Sequence, residues 1–278
     1  MGPQTLSQLF IVNHVLPDLD RLSDIVRRAA REELLPRFTR VTQEHKADGS
    51  ILTEADLAID ARLRAELHQA WPDIAFLSEE MDANEQQTLL GNPTQPLWCL
   101  DPLDGTSNFA AGIPFFGVSL ALLCDGLVEL GLIYDPIRDE CFTGQRDTGA
   151  WLNGVRLQTA PIQLPLKQCI ALIDLKRLAP ALRQRLIETP PYHSQRNFGS
   201  CALEWAWLAA GRGHLYLHGG QKLWDFAAGT RLFAEAGGKS YTLEGDEVFV
   251  ARLEARSATA SPDPALAQAW LAWLRQTT

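Results

Sequence analysis

The sequence predicts a mixed fold of the α/β class with some α+β character. In the first half, two segments with helical apolar spacing precede a series of short apolar strands joined by tight turns. From about residue 160, strands and helices alternate. We therefore expect two parts within the 278 residues, residues 1–160 and residues 161–278, and a chain of this length can hold both.

Two helices are predicted before the strands. Apolar residues recur at helical spacing between Leu19 and Leu35, and Pro36 ends this helix. Thr53 is typical of an N-cap, and Asp56 at the third position after it completes a capping-box pattern for a second helix. Between the two helices, residues 48–50 (Asp-Gly-Ser) are typical of a turn.

An antiparallel sheet is predicted next. Its strands lie at residues 74–77, 96–100, 114–124 and 127–134. Asp125-Gly126 between the last two is a hairpin signal. Residues 82–96 are polar and are interpreted as a loop.

The second half is predicted to alternate strands with helices. The strands lie at residues 168–175 and 213–218, and the helices at residues 179–188, 201–211, 225–237 and 264–276. Such alternation favours a second sheet covered by helices.

Composition and charge limit the function. The formal net charge of −9 disfavours a nucleic-acid polymer or an anionic membrane as the main partner. The five cysteines form no CxxC pair, which favours free thiols in a reducing compartment. No signal-peptide pattern and no long apolar run is present, so we expect a cytoplasmic protein that does not cross a membrane.

One stretch carries most of the chemical information. Asp101 and Asp104 follow an apolar strand, Pro102 lies between them, and Gly105-Thr106 comes directly after. Two acids at a strand end, followed by free N–H groups at a helix start, suit a divalent cation that holds a phosphate. The same residue types are also typical of a plain surface turn.

Three further acids stand at the edges of predicted elements: Asp56, Glu79 and Asp225. Asp225 would also serve as a simple helix cap. If these acids converge, their mutual repulsion calls for a cation, and an all-oxygen set favours Mg²⁺, Mn²⁺ or Ca²⁺ over zinc.

These motifs resemble the inositol monophosphatase family. Residues 101–109 (DPLDGTSNF) closely resemble its D-P-[IL]-D-G-T-x-N-F signature, and residues 224–229 (WDFAAG) resemble its W-D-x-A-A-G signature. Residues 78–80 (SEE) resemble the G/S-E-E element. Residues 46–56 resemble the K-x-D-x-S-x-V-T-x-A-D element, with Leu52 in place of the usual Val. Order and spacing agree over about residues 40–240.

The resemblance implies a layered α/β/α/β/α sandwich of the inositol monophosphatase and fructose-1,6-bisphosphatase type. It also implies a phosphoric monoester hydrolase that is dependent on magnesium, sensitive to lithium and usually a homodimer. Two or three Mg²⁺ ions per site are expected, with Mn²⁺ as an alternative and Li⁺ or Ca²⁺ as inhibitors. The implied metal ligands are Glu79, Asp101, the Leu103 carbonyl, Asp104 and Asp225.

The resemblance assigns the remaining roles by position. Gly105 and Thr106 bind the phosphate through backbone N–H groups. A metal-activated water attacks phosphorus, and Glu79 and Thr106, the latter oriented by Asp56, accept its proton. The implied contacts to the substrate are Asp104, Gly199, Ser200, Cys201, His218 and Asp225.

The resemblance is weaker on the substrate side. Cys201 stands where the family usually has Ala, and His218, seven residues before Asp225, stands where inositol-selective members carry Glu. An imidazole lacks the paired acceptors of a carboxylate, and a protonated imidazole favours a second anionic group. The expected substrate is a small phosphorylated metabolite, whose phosphate monoester is hydrolysed in the manner of an inositol monophosphatase. The alternatives are 3′(2′),5′-bisphosphate nucleotidase, histidinol-phosphate phosphatase or sugar phosphatase activity, or a regulatory binding protein with little turnover.

Overall fold

The computed structural model describes residues 16–38, 43–45 and 51–276. The predicted turn at residues 48–50, and with it the Lys46, Asp48 and Ser50 positions of the family pattern, lie outside the described residues.

Eight α-helices occur in the described part of the chain: α1 (Leu19–Glu33), α2 (Glu54–Ala70), α3 (Ala83–Leu90), α4 (Thr106–Ala111), α5 (Pro180–Glu188), α6 (Cys201–Ala209), α7 (Leu223–Glu235) and α8 (Pro264–Leu274). A 3₁₀ turn spans Leu166–Gln168. None of the described helices is both long enough and apolar enough to span a membrane.

The strands are β1 (Gln43–His45), β2 (Ile51–Thr53), β3 (Ala75–Ser78), β4 (Leu97–Asp104), β5 (Gly117–Cys124), β6 (Leu127–Asp135), β7 (Glu140–Gln145), β8 (Gly149–Leu152), β9 (Val155–Leu157), β10 (Ile170–Asp174), β11 (Ser194–Arg196), β12 (Leu215–Gln221), β13 (Lys239–Tyr241) and β14 (Arg256–Ser261). β3 to β9 form one sheet in chain order, antiparallel except for the parallel pair β3–β4. The second sheet has the order β11-β10-β12-β14-β13, and β1 pairs with β2 separately.

The helices and sheets form five layers, which pack together through three buried apolar clusters. Residues of α1 and α2 pack on one face of the seven-stranded sheet. α6 and α7 fill the space between the two sheets, and α5 and α8 cover the outer face of the five-stranded sheet. This order confirms the predicted α/β/α/β/α sandwich.

The cap predicted for the second helix is present. The Asp56 carboxylate accepts hydrogen bonds from the backbone N–H of Thr53 at 2.7 Å and from its hydroxyl at 2.6 Å. The Thr53 hydroxyl in turn accepts the Ala55 N–H. This reciprocal capping fixes where α2 begins and so where Asp56 lies.

Three sequence predictions need correction. Residues 82–96 are not all loop, because Asp82 accepts the Asn84 N–H and caps the short helix α3. β4 does not end before the acids but runs on through Asp104, where the antiparallel partner β5 supplies backbone hydrogen bonds. α7 begins at Leu223, so Asp225 lies inside its first turn and is not the N-cap residue.

The helical layer between the sheets is packed closely at glycine positions. A Cβ atom at Gly229 of α7 would lie 2.5 Å from the Trp205 Cβ of α6, and one at Gly131 of β6 would lie 2.5 Å from the Ala228 carbonyl oxygen. Only the missing side chains let α7 approach both α6 and the sheet. α6 and α7 follow residue 160 but pack on the first sheet. The division of the chain into residues 1–160 and 161–278 stays a prediction.

Gly229→Ala should lower the free energy of unfolding by about 1–3 kcal/mol, because the added methyl group overpacks the α6–α7 contact. Gly220→Ala is the matched control: its Cβ would meet only ordinary contacts of 3.5 Å or more, at an unstrained φ. We expect the control to stay within about 0.5 kcal/mol of the parent in urea unfolding. Equal effects of the two substitutions would contradict the close approach.

Candidate active site

Glu79 and Asp101 are brought together by the parallel pairing of β3 and β4. Ser78 is the Cα partner of Leu100, and the Glu79 N–H donates to the Leu100 carbonyl at 3.1 Å. Glu79 therefore follows the end of β3 directly beside Asp101. Asp101 is only 3% exposed.

Asp225 reaches the same place from the helix layer. Ser119 of β5 is the Cα partner of Asp101, and its hydroxyl donates to the Trp224 carbonyl at 2.9 Å. This bond fixes the start of α7 against the sheet. The Asp225 carboxylate accepts the Lys222 N–H at 2.8 Å, which aims it across the first turn.

Glu79, Asp101 and Asp225 form one carboxylate cluster, in which one oxygen of each lies within 4.8 Å of the other two. Oxygen donors at this separation suit a hard divalent cation such as Mg²⁺. The donor set of this site therefore fits the metal that the sequence predicts.

Asp104, the last residue of β4, joins this cluster to α6. Its Oδ2 accepts the Ser200 hydroxyl at 2.5 Å and the Ala202 N–H at 2.6 Å. The N-terminal turn of α6 is thereby tied to the acids. Oδ2 is engaged by protein donors, while Asp104 remains close enough for its charge to act on Asp101 and Asp225.

Burial and mutual repulsion disfavour charge on these acids. Burial, with the charges of Glu79 and Asp104, raises the pKa of Asp101 well above its usual value. The same kinds of cause, led by burial, raise the pKa of Asp225. Burial also raises the pKa of Asp104 to about 6, despite its hydrogen bonds from α6. A bound cation would oppose all three shifts.

Gly105 and Thr106 form the turn between β4 and α4. Gly105 has φ of +94°, a conformation that glycine adopts without strain. The Thr106 hydroxyl lies 2.9 Å from the Leu103 carbonyl and 3.2 Å from Asp56 Oδ1, so its single proton is shared between two acceptors. Burial raises the pKa of Asp56, which holds its proton more readily than an exposed aspartate.

The predicted substrate loop is held close to the acids. Gly199 has φ of +77°, and the Asn108 side chain lies against it and donates to the Phe198 carbonyl at 2.6 Å. Ser200 is buried, and its hydroxyl is used in the bond to Asp104. Burial and the charge of Asp225 raise the pKa of the Cys201 thiol, which keeps it protonated.

His218 is 5% exposed, and both of its ring nitrogens are engaged. Nδ1 accepts the Gly220 N–H at 3.1 Å, and Nε2 lies 3.5 Å from Asp174 Oδ2. The ring therefore carries its proton on Nε2 and faces Asp174 of the neighbouring strand.

Sequence reasoning missed four residues around the site. Asn108 and Glu204 hold the substrate loop, since the Glu204 carboxylate accepts the Phe198 N–H at 2.7 Å. Asp174 is the Cα partner of His218 in the β10–β12 pair, and Arg177, in the loop after β10, donates to the Gly220 carbonyl at 3.0 Å. Asn108 lies within the motif of residues 101–109 and could have been named from the sequence. The positions of the other three residues near the site depend on tertiary contacts.

Comparison with known proteins decides the family. The model of the inositol monophosphatase family matches residues 18–277. The chain belongs to the inositol monophosphatase family. The resemblance read from the motifs is thus confirmed.

The relatives carry two kinds of name. An inositol-1-monophosphatase of Mesorhizobium japonicum is 36% identical over 210 residues, covering 73% of this chain and 76% of the relative. A protein named Nus factor SuhB, from Pasteurella multocida, is 35% identical over 206 residues, covering 69% and 72%. The solved structure of the extragenic suppressor protein SuhB of Bartonella henselae superposes with a TM-score of 0.82 at 28% identity, covering 93% of this chain and 98% of that one.

The buried Glu204 should make folding stability depend on pH. Burial raises its pKa from about 4.5 to about 8. Between these values the folded chain keeps a proton that the unfolded chain releases, so the free energy of unfolding falls as pH rises. Glu204→Gln keeps the acceptor oxygen and should remove roughly 1–4 kcal/mol of this decline between pH 5 and 8.

Urea unfolding in EDTA at pH 5, 6.5 and 8 measures the effect. The exposed Glu254→Gln is the control and should follow the parent. An identical decline in the parent and in Glu204→Gln would show that Glu204 is ionised in the folded protein.

Proposed function

We propose that this protein is a Mg²⁺-dependent phosphomonoesterase that hydrolyses a small phosphate monoester in the manner of an inositol monophosphatase. The observation that carries the proposal is the convergence of Glu79 and Asp225 on the buried Asp101. Membership of the inositol monophosphatase family and the name of the Mesorhizobium relative support it.

The metal-binding residues of the proposal are Glu79, Asp101, Asp104, Asp225 and the Leu103 carbonyl. Divalent cations bound there would neutralise charge on the phosphate, acidify water and stabilise the leaving oxygen. The protein supplies fixed positions: the Leu103 N–H donates to Asp101 Oδ1 at 3.0 Å, which orients that carboxylate. Mn²⁺ as a substitute, and Li⁺ or Ca²⁺ as inhibitors, belong to the same proposal.

Thr106 and Asp56 are proposed to move the proton. The Thr106 hydroxyl, between Asp56 Oδ1 and the Leu103 carbonyl, can accept a proton from the attacking water while passing its own to Asp56. The raised pKa of Asp56 favours that transfer. Glu79, a member of the acid cluster, is the second candidate base.

The phosphate is proposed to lie on the backbone N–H groups of Gly105 and Thr106. The positive φ of Gly105 turns the chain directly after Asp104, and α4 begins at Thr106. N–H groups at such a start are not used within the helix and can bind phosphate oxygens. In-line attack by water then needs no covalent enzyme intermediate.

The alcohol part of the substrate is proposed to contact the loop of Gly199, Ser200 and Cys201, together with His218, Asp104 and Asp225. Because the His218 ring uses both nitrogens within the protein, it offers a polyol no pair of acceptors. Nucleoside bisphosphates, histidinol phosphate and sugar phosphates therefore stay beside inositol phosphates as candidate substrates.

A cytoplasmic homodimer is proposed from the family resemblance. Sedimentation equilibrium of the purified chain tests it, and a single species of the monomer mass, 30.8 kDa, would exclude the dimer.

A second candidate function is a regulatory binding protein. The relatives named Nus factor SuhB favour it, since this chain covers 72% of the Pasteurella relative. The complete acid cluster favours turnover instead. Phosphate release from inositol phosphates, adenosine 3′,5′-bisphosphate, fructose 1,6-bisphosphate and histidinol phosphate with Mg²⁺ separates the two, because the regulatory protein would release none.

Asp104→Asn should lower Mg²⁺-dependent phosphate release at least about 100-fold, because the amide removes a charge that stabilises the cations. The amide oxygen can still accept the Ser200 and Ala202 hydrogen bonds, so we expect the fold to persist. Asp24→Asn, an exposed acid on α1, is the control and should keep full activity. Near-parent turnover by folded Asp104→Asn would refute the metal assignment.

A further inference from the structure

The loop that follows β10 lies directly on the end of β12. A Cβ atom at Gly219 would lie 2.3 Å from the backbone carbonyl group of Arg177. This contact leaves room only for glycine and fixes the position of Arg177 relative to the strand that leads into α7. Asp174, the last residue of β10, is the Cα partner of His218 in the parallel β10–β12 pair, and β12 runs on to Gln221.

The Arg177 side chain lies against this end of β12. Its Nη1 donates to the Gly220 carbonyl at 3.0 Å, and its Cδ lies 3.5 Å from where a Cβ of Gly220 would be. The residue as a whole is exposed. One hydrogen bond to a backbone carbonyl anchors the guanidinium, whose planar fork has five donors.

The strand end that Arg177 contacts leads directly into the first turn of α7. β12 ends at Gln221, and the next residue, Lys222, donates its N–H to the Asp225 carboxylate at 2.8 Å. The guanidinium on the Gly220 carbonyl therefore lies at the rim of the proposed active site, beside the start of α7. Lys176, next in the chain, is also exposed.

The nearby Asp174 does not cancel this positive charge for a ligand. Its Oδ1 accepts the Lys176 N–H at 2.6 Å, and its Oδ2 faces His218 Nε2. The bond from His218 lowers the pKa of Asp174, so the carboxylate is ionised and turned towards protein donors. The Glu204 carboxyl, whose pKa burial raises to about 8, adds no full charge near neutral pH.

We propose that Arg177 is a specificity-determining residue that binds a second anionic group, a phosphate or carboxylate, on the alcohol part of the substrate. The inference rests on the proposed phosphomonoesterase function and narrows its substrate class to monoesters that carry a further negative charge. The exposed guanidinium at the rim can pair with such a group bidentately. The buried His218 ring nearby uses both of its nitrogens within the protein, so it offers a neutral polyol no free hydrogen-bond acceptor.

The test compares substrates that differ only in the second anionic group. The pairs are adenosine 3′-phosphate with adenosine 3′,5′-bisphosphate, and glycerol 2-phosphate with 2-phosphoglycerate. In the parent protein with Mg²⁺, we expect the member with the second anionic group to have a kcat/KM about five- to tenfold higher in at least one pair, mostly through a lower KM. Raising the ionic strength from about 50 to 300 mM should reduce this preference, since the contact is exposed.

Arg177→Gln should abolish the preference while leaving kcat/KM for the member without the second anionic group within about twofold. Arg177→Lys should retain part of it, because the charge remains but the bidentate fork is lost. The control is Lys239→Gln, which removes an equally exposed charge from the far edge strand of the same sheet and should change neither value.

Hydrolysis without any preference for the second anion in the parent, or an equal loss on both members of a pair in Arg177→Gln, would overturn the role of Arg177 alone. Failure of the parent to hydrolyse any of these esters or the inositol phosphates would overturn the proposed function and this inference with it.

Discussion

Four carboxylates, of which Asp101 and Asp104 are buried, share one corner of the sandwich, and their repulsion is the constraint on which the rest of the site depends. They come from three elements: Glu79 follows β3, Asp101 and Asp104 end β4, and Asp225 lies in the first turn of α7. Burial and repulsion both raise the pKa values of Asp101 and Asp225, so ionisation of these two acids is disfavoured while no cation is bound. The packing of the two sheets and of α7 between them holds the acids in place. A divalent cation would turn this unfavourable cluster into a favourable one.

The residues around the acids belong to two groups of contacts. In the first group, Asp104 is bonded to the start of α6, and Asn108 bonds the turn after β4 to the Phe198 carbonyl. These hydrogen bonds tie the loop before α6 to the acids. The second group contains His218, which faces Asp174 of the paired strand, and Arg177, which donates to the Gly220 carbonyl. We propose that the first group supports the reaction and that the second selects the substrate.

The sequence predicted what depends on neighbours in the chain. The Thr53–Asp56 cap and the Asp125-Gly126 hairpin are local patterns, and both are present in the structure. The helix α3 was missed because its eight residues include only one buried side chain, Gln86, and so lack an apolar stripe. Glu204, Asp174 and Arg177 could not be assigned, because their surroundings come from a strand register and from loop packing that no local spacing encodes. The proposed metal ligands could be named from the sequence only because several motifs occur together in the order typical of the family.

Calorimetric titration of the purified chain with Mg²⁺ at neutral pH, in two buffers of different ionisation enthalpy, tests the acid cluster most directly. Cation binding must displace protons from acids whose pKa values are raised, so the measured heat should depend on the buffer and show net proton release. The account predicts saturable Mg²⁺ binding in the millimolar range or tighter, with protons released. The absence of saturable binding, or binding without any proton release, would contradict the assignment of Glu79, Asp101, Asp104 and Asp225 as one metal-binding cluster.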